Sequence, residues 1–193
     1  MLLSRFASML LTISLLAGCA LSPQTVDINP RIDLAGINQQ GDQQKLSLQV
    51  ADDRGTQVVG TRGSVYPETS EISTGGDIKT PIRNVLTKSL RNMGYKLVGE
   101  NGQSTVNLKV VVDSLGYKTK SETVMKAVET AATIRAVATK ANREYTGRYR
   151  GKRTTDFMKA PDEDKNAEMI NAALAHVLQR LLNDPELHKF LRD

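Results

Sequence analysis

The sequence of 193 residues contains no tryptophan, one cysteine and two histidines. Each shortage removes a class of chemistry. A single cysteine, Cys19, admits no internal disulfide, and a free thiol in an oxidising compartment is a liability. Aromatic residues make up 4%, too few for a stacking platform for sugar rings or bases, so no nucleic-acid partner is expected. His176 and His188 have no cysteine or second histidine at ligand spacing, which argues against zinc. There is no P-loop and no GxGxxG, no GxSxG elbow and no serine with a positioned base. The chain is therefore read as non-enzymatic, with no catalytic residue, metal or cofactor. Its longest leading apolar run, Phe6 to Leu16, falls short of the ~20 residues that span ~30 Å of hydrocarbon as a helix. The formal charge of +5 is a weak bias towards anionic partners.

What the first nineteen residues do contain is a targeting segment. Met1 to Arg5 carries one positive charge, and Phe6 to Leu16 is an apolar h-region. Leu16, Ala17 and Gly18 then precede Cys19. Small residues there suit the extended backbone that a signal peptidase must accept. The sequence Leu16-Ala17-Gly18-Cys19 resembles the lipobox of bacterial lipoproteins, in which the cysteine sulfur takes a diacylglycerol and the new amino terminus is acylated, as with palmitate. The alternative is an ordinary signal peptide followed by a chance cysteine. Acylation would consume the one thiol. One acyl chain, at ~0.8 kcal/mol per buried CH₂, holds a protein only marginally, whereas two or more hold it stably. Residue 20 is Ala rather than Asp. By resemblance to lipoprotein sorting in Gram-negative bacteria, that implies the periplasmic face of the outer membrane.

Three parts follow: a signal peptide over 1–18, a lipidated and partly disordered tether over 19–44, and a single α/β domain over 45–193. Ala20 to Gln44 is rich in Ser, Gln, Asn, Gly and Pro, and as a coil would reach ~25–30 Å. Val26, Ile28, Ile32 and Leu34 alternate with polar residues, which also allows a short edge strand interrupted by Pro30. Leu46, Leu48 and Val50 recur at period two, predicting a half-buried strand over Lys45–Asp52 that ends in a turn at Asp52 to Gly55. Thr56–Thr61 is a second extended piece expected to pair back, and Ser64–Gly76 reads as loop. Thr80 and Pro81 open a helix that buries Ile82, Val85, Leu86, Leu90 and Met93 and stops at Gly94. Tyr95–Val98 and Thr105–Tyr117 read as strands. Ser121–Ala141 carries both alanines and β-branched residues, and Val128–Ala141 is taken as a strand. Asn142-Arg143 turns it into Glu144–Phe157. There Tyr145, Tyr149 and the glycines share one face, and Thr146, Arg148, Arg150 and Lys152 the other. Pro161 and Asp162 start the last long helix, with Ile170, Ala173, Leu174, Val177, Leu178 and Leu181 as its stripe. Asp184-Pro185 starts a terminal helix with Leu187, Phe190 and Leu191 inward. The fold class is α+β, a two-layer sandwich of an antiparallel sheet against two amphipathic helices.

Several segments together resemble the YajG-type family of enterobacterial outer-membrane lipoproteins. They are Leu16 to Cys19, Ala51 to Arg54, Met93-Gly94-Tyr95, Val98 to Gly102, Val106-Asn107-Leu108, Ala136 to Lys140, and Leu187 to Leu191. The resemblance spans nearly the whole mature chain. It implies a lipid-anchored outer-membrane protein and transfers no catalytic residue.

Two partner chemistries remain. In the first, the chain is a binding or assembly module that meets an envelope protein through a sheet edge or the Ser64–Gly76 loop. In the second, Arg148, Arg150 and Lys152, roughly 6–7 Å apart along one strand face, bind phosphate or carboxylate on lipid, lipopolysaccharide or peptidoglycan. The same stripe is also what a charged edge strand uses to block aggregation. Asp113 is expected to point outward, opposite Val110 and Val112. His176 lies beside Val177, off the centre of the apolar stripe.

Overall fold

The computed structural model describes residues 22–34, 39–63, 67–99, 104, 106–121 and 126–193. Among them, eight strands form one sheet. In chain order they are β1 (Gln24–Val26), β2 (Lys45–Asp52), β3 (Val58–Thr61), β4 (Glu71–Thr74), β5 (Lys96–Val98), β6 (Val106–Ser121), β7 (Lys126–Lys140) and β8 (Arg143–Phe157). The helices are α1 (Lys79–Asn92), α2 (Glu163–Leu182) and α3 (Pro185–Arg192). No helix among the described residues is long and apolar enough to cross a membrane.

The long hairpins β6–β7 and β7–β8 are antiparallel and set the frame. On the other edge of β6, β2 pairs with Val106 to Val112 and β3 with Tyr117 and Lys118, both parallel. β5 adds to β2 in parallel; β4 adds antiparallel to β3, and β1 adds in parallel to β4. The sheet is thus mixed, not antiparallel as the sequence suggests. Period-two alternation reports which face a residue occupies and carries nothing about strand direction. Thr56–Thr61 does not fold back on β2: its strand portion, β3, passes to β6 and β4. A Cβ on Gly60 would lie 1.8 Å from the Tyr117 carbonyl, so only glycine allows that approach. The supposed loop Ser64–Gly76 contains a 3₁₀ turn, Pro67–Ser70, and β4.

An aspartate stands at or just before the head of each helix. Asp77, just before the cap position Ile78, accepts from Lys79 N (2.8 Å) and from the Thr80 hydroxyl (2.6 Å), so α1 starts ahead of Thr80. Gly94, at φ +91°, ends it. Asp162 accepts from Lys165 N at 2.9 Å at the head of α2. Asp184 accepts from Glu186 N and Leu187 N at the head of α3.

One continuous core joins Ile82, Leu86 and Leu90 of α1 and Ile170, Leu174, Val177 and Leu178 of α2 to Leu46, Leu108, Val110, Ile134 and Ala136 of the sheet. Val128 to Ala138 alternate as expected for a strand with one face on this core.

The segment read as a tether is bound to the domain over most of its described length. Val26 and Ile28 are buried in the core. Asn171 of α2 donates to the Asp27 carbonyl (2.9 Å) and accepts from Asn29 N (2.6 Å). Gln40 and Gly41 donate to the Met93 carbonyl at the end of α1. A short polar stretch reads as linker by composition, yet its few apolar residues suffice once a sheet edge and a helix side chain receive its backbone groups.

Candidate functional site

The lipidation and sorting residues, Leu16, Ala17, Gly18, Cys19 and Ala20, lie outside the described residues. The cationic stripe lies within them. Arg148, Arg150 and Lys152 project from β8 on the sheet face that no helix covers among the described residues, and all three are exposed. Tyr145 and Tyr149 point the other way, against the helices, as the alternation predicts.

Two of the stripe's three side chains, Arg148 and Lys152, pair with acids of their own sheet. Asp113 stands on the same open face, one strand beyond β7. Arg135 Nη2 donates to its Oδ1 at 3.1 Å. Arg148 Nη2 lies 3.1 Å from Oδ2, within ion-pair distance but off the hydrogen-bonding angle, since Oδ2 has no hydrogen-bond partner. Arg135 Nη2 also reaches Asp53 Oδ2 at 3.4 Å. The charge of Asp53 is thereby drawn into the face, while Asp52 is forked by Arg54 (2.7 and 2.9 Å). That bond holds the Asp52 carboxyl below its ordinary pKa, against the opposing effect of burial. Glu129 forms the second cluster, 2.7 Å from Lys152 and 3.1 Å from Lys120. Its bonds to Lys152 and then Lys120 lower its pKa.

Arg150 differs. Among the described residues no acid pairs with its guanidinium, and its register neighbour on β7 is Thr133. Its backbone carbonyl accepts from Arg180 Nη1 of α2 at 2.6 Å. Beneath this stretch, Gly151, Arg153, Ala172, Ala173 and His176 line a groove of about 240 Å³ between β8 and α2. A Cβ at Gly151 would meet His176 Cδ2 at 2.7 Å and Val177 Cγ1 at 2.9 Å. His176 is therefore a surface residue over a glycine.

Three buried or half-buried polar clusters were not visible in the sequence. Tyr95 meets His188 across the core at 2.9 Å. Tyr117 donates to Asn166 Oδ1 (2.7 Å), whose Nδ2 donates to Gln24 Oε1 (2.8 Å). Tyr145 and Tyr149 both donate to Asp184 Oδ2 at 2.6 Å. Burial opposes the Asp184 charge, but these bonds and the cap amides outweigh it and lower its pKa. Each cluster joins groups far apart in the chain. Among the described residues, no group of three or more His, Cys, Asp or Glu is placed to hold a metal ion.

A mixed sheet with helices on one face and a charge-paired open face defines a scaffold of α+β class. A family model described as "Uncharacterized lipoprotein" matches residues 30–192, and the chain belongs to that family of YajG-type lipoproteins. The uncharacterized lipoprotein YajG of Escherichia coli K12 is 26% identical over 186 residues, covering 95% of this chain and 94% of that protein. Among solved structures, a Xanthomonas campestris protein superposes with a TM-score of 0.55 at 12% identity, covering 89% of this chain and 97% of that one. A putative neuraminyllactose-binding hemagglutinin homolog from Helicobacter pylori gives 0.51 at 11% identity, covering 86% and 96%. At such identities the likeness is one of fold alone.

Proposed function

We propose that the protein is a non-enzymatic module of the cell envelope, held by lipid on Cys19 at the periplasmic face of the outer membrane, which receives an envelope protein along β8. In this reading Leu16, Ala17 and Gly18 present the cut and Ala20 directs sorting. The observation that carries it is the edge. β8 is 15 residues long, has β7 on one side and, among the described residues, no strand on the other. Such an edge offers backbone donors and acceptors to an extended partner segment. Its cationic side chains favour an acidic one.

The second reading, direct binding of an anionic envelope polymer or lipid, is supported by Arg150. It is weakened by the carboxylates that already occupy Arg148 and Lys152.

The test is a pull-down from native membranes of lipidated protein tagged at Asp193, with a photo-crosslinker at Thr146 or Thr154. The edge reading expects a discrete protein, captured from β8 but not from a control crosslinker at Asn92, that survives high salt. Exposed charge contacts alone would dissolve as salt rises. Recovery of only glycan or lipid, lost in salt and lost when Arg148, Arg150 and Lys152 are all changed to serine, would transfer the function to the stripe. Equal capture at Asn92 would sink the edge reading.

A further inference from the structure

We infer that the sheet end where β6 and β8 finish and β7 starts is the surface that rests on the lipid bilayer. This rests on acylation of Cys19. The ladder sets Gln24 beside Ile72, Ile72 beside Gly60 and Gly60 beside Tyr117. One to two residues further along the strands, Arg62 N donates to the Ser70 carbonyl at 2.9 Å. The Arg62 guanidinium donates to the Ser22 carbonyl. The chain is thus held as far out as Ser22. Three residue steps remain to Cys19, which at full extension place its Cα within about 11 Å of Ser22. This is far less than the reach that composition assigns to residues 19–44.

From the level of Ser22 the strands continue the same way. β6 runs to Ser121, β7 starts at Lys126, and β8 ends at Phe157 opposite Lys126, roughly 7 Å further out. The anchor and these strand ends therefore stand at similar height.

Met158 comes next, and it is 93% exposed, one of two exposed large apolar side chains among the described residues. Lys126 and Lys159, both exposed, flank it in register and in sequence. An apolar tip between cations suits the boundary of acyl chains and anionic headgroups.

The anchor leaves at the β1 edge, and Met158 lies at the β8 edge. Five strand spacings separate them, about 24 Å. Two contacts that far apart hold the sheet upright. The β7–β8 turn at Ala141 then lies one β7 length away, 15 residues or about 45 Å. Lying on the open face would instead press the Asp113 and Glu129 ion pairs towards hydrocarbon, where desolvation is costly.

The experiment uses the mature lipidated protein, whose one native thiol the lipid occupies. Single cysteines are placed by Met158→Cys, Thr133→Cys and Asn142→Cys, and each is labelled with a fluorophore. Vesicles of phosphatidylethanolamine and phosphatidylglycerol carry a headgroup nitroxide quencher. Quenching at position 158 should exceed that at 133 and 142 several-fold. Quenching at 133 equal to that at 158 would mean that the sheet lies on its face. Greatest quenching at 142 would invert it, and none at any site would mean that the domain stands clear. Each of these overturns the inference. Mass spectrometry of the same samples separates the premise: an unacylated Cys19, with failure to float with vesicles, would overturn the anchoring reading itself.

Discussion

Tyr95 and His188 are hydrogen-bonded at 2.9 Å across the core, although 93 residues separate them in sequence. His188 Nε2 lies 2.7 Å from the Leu182 carbonyl. A carbonyl only accepts, so Nε2 carries the proton and Nδ1 accepts from the Tyr95 hydroxyl. The two rings also stack at 5.8 Å. Burial pushes the Tyr95 phenol up to about 12. Burial also holds His188 below its ordinary 6.5, against the Leu182 bond.

That depression fixes a pH dependence. The unfolded chain takes up the His188 proton before the folded one, so the stabilisation is fully present above 6.5 and is lost as pH falls below it. Urea unfolding between about pH 7.5 and about pH 5 should show a drop in stability that is smaller in His188→Gln. Identical pH slopes for the two proteins would refute it. Tyr95→Phe should cost about 1–3 kcal/mol at neutral pH by leaving a buried acceptor unpaired.

Asn166 ties the amino-terminal strand to the core. It is fully buried, bonded on one side to Tyr117 and on the other to Gln24. Asn166→Leu would strand both partners and should cost about 2–4 kcal/mol. Hydrogen exchange at Thr25 and Val26 should accelerate more than in the middle of β6. Unchanged protection of β1 would mean that its ladder to β4 holds it unaided.

Arg180 guards the β8 edge by occupying the Arg150 carbonyl. Arg180→Ala frees that acceptor, and edge strands associate through such groups. Sedimentation velocity should show concentration-dependent self-association in the variant beyond that of the parent. No difference would leave the cationic side chains as the edge's protection.

The sequence was most legible where periodicity and capping agree. Apolar spacing at 3.6 residues marked α2, and Asp162 and Asp184 announced two helix starts. Alternation from Val128 onward separated the core face of β7 from its open face despite the alanines. It also placed Arg148, Arg150 and Lys152 together on the open side of β8. The pairing of Arg148 and Lys152 was not legible, because Asp113 meets Arg148 from β6 and Glu129 meets Lys152 from β7 only once strand order is set. His188 read as one residue of a short amphipathic helix, since nothing local indicates that a tyrosine 93 residues earlier will receive its ring.

The sequence by itself determined the lone cysteine, the helices and the facing of each long strand. These follow from local chemistry: side-chain period, caps, turns and the length of an apolar run. Tertiary structure alone decided strand direction and order, the pairing of the open-face charges, and how much of the presumed tether is held. Parallel pairing, ion pairs across strands and the capture of Asn29 by Asn171 all join groups far apart in the chain. Their free energies exist only after the intervening loops have closed.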